Sequence, residues 1–290
     1  LPRRHLRLRV GGLTLEVAAG TRTAALDPPA AFEPFLAQRG ADIRLDLVEA
    51  RPPHAGELLF ESGGAWQVNR FRDGLIYSFR APLARPAVYK AVTIDARLTR
   101  GTLFFPFPDE GARPAYALDY PLDELLFQHR LVRDGALEVH ACGLVAAGKV
   151  ALFCGQSGAG KSTTARLWRR HRPRTAVLSD DRIVLRPSRS GIFVYGTPWH
   201  GDGGFARAAR GRAAAIFFLK HASRSAAVRL AAPEAAGRLF ARSFPPPWDA
   251  AALGRALDTC IGIATALPCF ELGFRPDATA IEAALEAIRR

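Results

Sequence analysis

The chain contains no methionine, four cysteines in 290 residues, and only four lysines among its 40 basic side chains. Each scarcity excludes something. Cys142, Cys154, Cys260 and Cys269 have neither metal-ligand spacing nor the density of a disulfide framework. Cys142 and Cys154 fall in or beside apolar runs, where a free thiol serves as a small hydrophobe, and a reducing cytoplasm is the expected setting. No uninterrupted apolar run approaches the roughly 20 residues of a bilayer-spanning helix. The longest, such as Ala213–Leu219, suit buried strands, so no membrane partner is expected. The opening LPRRHLRLRV is basic but lacks the apolar core and cleavage site of a signal peptide. With Leu1 first and no methionine, an initiator residue is expected to have been removed.

What is present is ordinary in bulk: 49% hydrophobic and 23% charged residues suit a globular protein with a sizeable core. The net charge of +13 raises the question of a polyanionic partner. The arginines are scattered, no helix-turn-helix or RNA-binding signature occurs, and aromatics do not interleave with the charges, which argues against nucleic acid.

Residues 1–120 read as a β-rich region. Leu6–Val10 and Leu13–Val17 alternate around Gly11-Gly12, a hairpin signal, and Ala65–Phe71 with Leu75–Phe79 flank Arg72-Asp73-Gly74 as a second. Ala87–Asp95 and Gly101–Phe107 continue the strand pattern, and Ala30–Arg39 has room for a short helix. Residues 121–290 read as a separate α/β domain: helices over Pro121–Arg133, Ser162–His171, Pro233–Arg242, Trp248–Ala266 and Ala278–Ile288 alternate with strands at Leu137–Cys142, Val150–Phe153, Thr175–Ser179, Arg182–Arg186, Ile192–Tyr195, Ala214–Leu219 and Cys269–Phe274. The links between residues 180 and 192 are too short for helical crossovers, so the sheet is expected to be mixed.

The chemistry centres on KVALFCGQSGAGKSTT, residues 149–164. An apolar strand delivers the chain to Gly155; Gly155, Gly158 and Gly160 allow the backbone to curl so that successive N–H groups point at phosphate oxygens. The following helix aims its N-terminal partial positive charge at the same place. Lys161 supplies a mobile charge for β- and γ-phosphates, and the Ser162 hydroxyl can sit on Mg²⁺. A chance match in a Gly- and Ala-rich chain has odds on the order of one in a few hundred. A lysine is rare in this chain, which weighs further against accident.

Three other elements accompany the loop. Asp180-Asp181 closes a strand shortly after it, suited to Mg²⁺ binding and general-base work; alone, the pair would read as a solvated turn. His140 closes the strand before it, a position more often structural than catalytic. Gly196–Gly204 forms a second glycine-rich loop bearing Trp199, His200 and Asp202, too dense in polar groups for a plain connector.

Together LEVHACGL, GKVALFCGQSGAGKSTTARL, AVLSDDRIVL and VYGTPWHGDGGFA resemble the HPr kinase-related branch of the phosphoenolpyruvate-carboxykinase superfamily, over about residues 120–220. The resemblance implies a P-loop kinase core with a mixed sheet behind a β-rich N-terminal region. It implies ATP phosphates on Gly155, Gln156, Ser157, Gly158, Ala159, Gly160, Lys161, Ser162 and Thr163, with Mg²⁺ on Ser162. It makes Asp180 the base for a substrate hydroxyl, sets Asp181 toward the metal, and brings His140 to the γ-phosphate. His200 and Asp202 fall in a metal- or substrate-facing loop, but TPWHGDGG differs from the arginine-glycine loop of HPr kinases proper, which argues against HPr and the reverse phosphorolysis. It is more similar to the stand-alone kinases of ribosomal-peptide clusters, including lasso-peptide tailoring kinases, which phosphorylate a serine hydroxyl near a precursor's C-terminus. Arg207, Arg210 and Arg212 are the residues available to grip an anionic peptide end, or are simply solvated. The expected activity is thus an ATP-dependent serine kinase on a peptide or small protein. The rivals are a small-molecule kinase, for instance of free serine, and a nucleotide-dependent sensor or slow ATPase. Homo-oligomerisation stays open.

Overall fold

The computed structural model describes residues 3–80, 88–105, 116–146 and 148–289. The chain divides into two compact units, Leu1–Arg130 with Pro246–Asp249, and Leu131–Pro245 with Ala250–Arg290.

In the first unit β1 (Arg3–Val10) and β2 (Leu13–Thr23) form the expected hairpin. Gly11 and Gly12 take φ values of 59° and 84°, the left-handed pair that a two-residue turn between twisted strands needs. Alternation puts Leu6, Leu8 and Val10 in the core and leaves Arg9 in solvent. The sheet continues through β3 (Ile43–Val48), β4 (Leu58–Ser62), β5 (Trp66–Phe71), β6 (Gly74–Arg80), β7 (Val88–Ile94) and β8 (Arg100–Phe104), in the order β1-β2-β3-β8-β7-β6-β5-β4. The helix expected at Ala30–Arg39 is instead a 3₁₀ turn, Ala30–Phe35, containing Pro34, whose missing N–H cannot join an α-helical ladder. Ala87 and residues 106–107, included in two expected strands, lie outside the described residues.

A polar chain runs through this unit. The Tyr77 hydroxyl and His129 Nδ1 share a 2.8 Å hydrogen bond, and His129 Nε2 lies 3.1 Å from Asp249. Beside it the Trp248 ring packs on Phe60, Trp66 and Tyr77. Lys90 is fully buried, donates to the Asp119 carboxylate and lies over the Phe79 ring. Burial, only partly opposed by Asp123, lowers its pKa to about 7.

The helix α1 (Leu122–Arg133) carries the chain from the first unit into the second. There β9 (Leu137–Ala146) and β10 (Lys149–Cys154) run antiparallel, followed by α2 (Lys161–His171), β11 (Ala176–Ser179), β12 (Arg182–Ser188), β13 (Gly191–Gly196) and β14 (Arg210–His221). Then come β15 (Ala226–Arg229), α3 (Ala232–Phe240), α4 (Ala250–Ala266), β16 (Cys269–Phe274) and α5 (Ala278–Arg289). The sheet runs β10-β9-β12-β13-β14-β16-β15, with β11 on β9, and β10 also pairs with β14. The β10–β14 and β14–β16 pairs are parallel and the others, the tightly linked β12–β13 pair among them, antiparallel, so the second unit is a mixed α/β fold.

The apolar run of β10 is continuous because both its faces are covered. Val150, Leu152 and Cys154 enter one core with α3 and α4; Ala151 and Phe153 enter another with α2 and α5. On α2, Lys161, Thr164, Ala165 and Trp168 are the buried positions, a single helical stripe. All four cysteines are buried free thiols, and burial pushes Cys154 and Cys260 up to about 12 and Cys269 to about 11, so they act as apolar packing. Among the described residues no helix is long and apolar enough to cross a membrane.

Candidate functional site

The glycine-rich loop hangs between the end of β10 and the start of α2. Gly158 and Gly160 have φ values of 79° and 103°, a conformation that side-chain-bearing residues resist. A Cβ on Gly155 would come within 2.6 Å of the Ala159 Cβ, so the loop can fold this tightly only with glycine there. Gly160 caps α2 without a side-chain hydrogen bond, leaving the first helical N–H groups to an outside acceptor. That cradle fits a chain of phosphates. Lys161 Nζ donates to the Gly155 and Gln156 carbonyls at 3.1 and 3.2 Å and lies 3.9 Å from Asp181. Burial and the Arg182 charge lower its pKa, with Asp181 acting the other way.

The two aspartates at the β11–β12 turn have different surroundings. Asp180 is fully buried and its carboxylate is saturated. Oδ1 accepts from Gly201 N at 3.1 Å and Phe205 N at 3.4 Å; Oδ2 accepts from Gly203 N and from the Ser162 hydroxyl, both at 2.8 Å. A carboxylate has about four acceptor positions, so all are engaged. A Cβ on Gly203 would collide with Oδ2, so the glycines of the second loop allow its amides to wrap the carboxylate.

Asp181 is partly open, with a side chain 26% exposed. His140 Nε2 donates to Oδ1 at 2.7 Å, and Arg182 donates to Oδ2. Burial pushes the Asp181 carboxyl up, but the His140 hydrogen bond and the Arg182 charge outweigh it and hold the group below its ordinary value. The same Arg182 reaches Glu138 and stacks 4.3 Å from the Phe244 ring centroid, so its guanidinium is fixed from three sides.

The structure therefore brings together the loop Gly155–Thr163, Lys161, Ser162, Asp180, Asp181 and His140. The Ser162 hydroxyl, though, meets Asp180 and not Asp181, and His140 pairs with Asp181. His200 and Asp202 are exposed on the second glycine-rich loop, whose backbone, not its side chains, reaches Asp180. Arg207 sits nearby through its amide, which donates to the Leu178 carbonyl. Arg210 and Arg212 are elsewhere. In the parallel β10–β14 ladder Lys149 pairs with Arg212 and Cys154 with Phe218, so these arginines lie at the strand end opposite the glycine-rich loop. Arg210 there stacks on Phe193 and donates to the Tyr195 hydroxyl.

Sequence inspection missed three residues. His221, at the end of β14, lies with Nε2 3.2 Å from the Gly158 carbonyl, which can only accept, so that nitrogen carries the proton. Phe274, at the end of β16, packs under Gly160, where a Cβ would come within 2.6 Å of its ring. Both end strands parallel to β10, and only that pairing brings them to the loop. Arg182, adjacent to the aspartates, was within reach of a local reading.

No protein-family model matches the sequence, and no curated protein matches it. Among solved structures, the HPr(Ser) kinase/phosphatase from Coxiella burnetii overlaps 52% of this chain and 90% of its own at 13% identity, with a TM-score of 0.31. The functional reading rests on the side chains of the site itself. Among the described residues no group of three His, Cys, Asp or Glu could hold a metal ion. Mg²⁺ commonly takes one or two carboxylates and completes its shell with water and substrate phosphates, so Ser162 and Asp180 are a donor set that fits it.

Proposed function

We propose that the protein is an ATP-dependent phosphotransferase that moves the γ-phosphoryl group to a serine hydroxyl of a peptide or small protein. The observation that carries this is the convergence on one glycine-rich loop of Lys161, a Ser162–Asp180 oxygen pair and an ionised Asp181 held by His140.

In this reading the Gly155–Gly160 amides and the start of α2 hold the phosphates, and Lys161 neutralises charge spreading over the transferred group. Ser162 and Asp180 would hold Mg²⁺ in exchange for the hydrogen bond between them, and the ion supplies further positive charge when bound. Asp180 is fully buried and faces Ser162, whereas the Asp181 side chain is partly open, which favours Asp181 as the group that orients the hydroxyl and accepts its proton. That reverses the division of duties the resemblance implies. His140, donating to Asp181, fixes the orientation of that carboxylate, and Arg182 keeps it ionised. His221 steadies the loop through Gly158.

The side chains of His140 and Asp181 are 20% and 26% exposed, an opening that suits a hydroxyl presented on a chain more than an enclosed small molecule. Precursors of ribosomally made peptides with a serine near the C-terminus, lasso peptides included, are the first acceptors to try. Incubation with γ-labelled ATP and such peptides, free serine, or no acceptor separates the readings. Label on peptide supports the proposal. Label on free serine alone makes it a small-molecule kinase, and phosphate release unaffected by any acceptor makes it a nucleotide-hydrolysing sensor.

A further inference from the structure

At the far end of α2 from the glycine-rich loop lies a groove of about 710 Å³ that the phosphotransfer reading does not use. That volume is in the range of sites for small organic ligands, about 300–1,000 Å³. Its floor is apolar: Trp168 of α2, Ala151 of β10, Ala214 of β14, and Leu285 and Ile288 of α5. The room comes from small side chains and a ladder irregularity. Val150 pairs with Ala213 and Ala151 with Ala215, so Ala214 is an extra, bulged residue, and bulges re-aim a side chain at the cost of pairing.

The rim has one sign. Lys149, His171, Arg172, Arg174 and Arg289 line the groove, and among the described residues no Asp or Glu does. Among the described residues none of these five has an ion-pair partner. On α5, Glu286 lines a different hollow. The helix dipoles explain only part of this. His171 and Arg289 sit in the last turns of α2 and α5, where a cation offsets the C-terminal partial charge. Lys149 opens a strand and Arg174 follows a proline beyond α2, so they answer no such demand. Burying an apolar ligand body against Trp168 and Leu285 would also bring its charged end to these cations.

We propose that the groove binds a small amphipathic anion: an apolar body carrying one carboxylate or phosphate. The site is separate from the nucleotide loop: Trp168, where α2 first meets the groove, is seven residues beyond Lys161, about 10 Å at 1.5 Å per residue.

The test uses the full chain and 8-anilinonaphthalene-1-sulfonate, itself an apolar anion, followed by its fluorescence. Decanoate and decyl phosphate, each below its micellar concentration, should displace the probe, their ranking telling carboxylate from phosphate preference. Decanol should displace it at least tenfold less well, and saturating MgATP should leave it bound. Charge reversal by Lys149→Glu with Arg174→Glu, both at exposed positions, should weaken binding tenfold or more, and Ala214→Phe should abolish it by filling the floor. A weakening under threefold in the double variant overturns the proposal, as does displacement by MgATP, by neither anion, or by decanol as readily as by decanoate. If Ala214→Phe fails to fold, the double variant decides alone.

Discussion

Replacing Asp180 by asparagine removes one acceptor oxygen from a carboxylate that satisfies three backbone amides and one hydroxyl. The new amide must put its NH₂ where either Oδ1 or Oδ2 stood. At Oδ1 it would face two N–H donors, from Gly201 and Phe205; at Oδ2 it faces Gly203 N–H and the Ser162 hydroxyl, which can rotate and accept. The second placement costs less and still orphans the half-buried Gly203 N–H, at about 1–2 kcal/mol, while the remaining bonds lose their charge assistance. A net loss of about 2–4 kcal/mol follows, or roughly 4–16 °C in the melting of a unit this size. Differential scanning fluorimetry of Asp180→Asn beside Asp181→Asn is the assay. Asp181 is partly open, so its asparagine variant should lose no more than about 1 kcal/mol yet cut phosphoryl transfer a hundredfold or more, as for a missing base. An Asp180→Asn protein as stable as the wild type, with Asp181→Asn the one that unfolds, would refute the assignment of a structural and metal-facing Asp180.

Three further outcomes are expected. Lys161→Ala should keep its fold by circular dichroism and lose transfer by at least about 100-fold, because a transition-state charge is gone. Arg210→Gln with Arg212→Gln should leave the peptide KM within about twofold of wild type in steady-state kinetics, since both residues lie at the strand end away from the loop. Lys90 sets a pH window: unfolded it holds its proton up to 10.5 and folded it releases it near 7, so the unfolded chain binds more protons between those values. Urea titrations should show the first unit gaining up to about 4 kcal/mol from pH 7 to 10, a slope absent in Lys90→Met.

How much of this was legible in the sequence depends on how local each feature is. The loop Gly155–Thr163, the Gly11-Gly12 hairpin and the spans of α2, β16 and α5 are written in short patterns of glycine, capping and apolar spacing, and the structure agrees with them to within a residue or two. Short strands with little alternation were not legible, β4 and β15 among them, each largely open to solvent; β3 alternates apolar and charged residues and was legible in principle. The helix expected from Trp248 begins at Ala250, because Trp248 and Asp249 are taken up by the aromatic and hydrogen-bonded cluster of the first unit. The site was legible as a set of residues but not as pairs. Adjacent aspartates look alike in a sequence, and only the wrapping of the Gly201–Phe205 backbone around one of them separates their roles. Arg210 and Arg212 follow the second glycine-rich loop directly, and chain proximity concealed the strand that carries them away.

The return of Pro246–Asp249 into the first unit sets an order of assembly. The His129–Asp249 bond joins groups 120 residues apart, and Trp248 arrives beside Tyr77 on the same segment. At about 5–20 residues per second a ribosome needs roughly 6–24 s to deliver that segment after His129. Until then the first unit lacks its last aromatic ring and the carboxylate that His129 Nε2 meets, although its eight strands are already made. The unit that is synthesised first is finished only after most of the second has emerged.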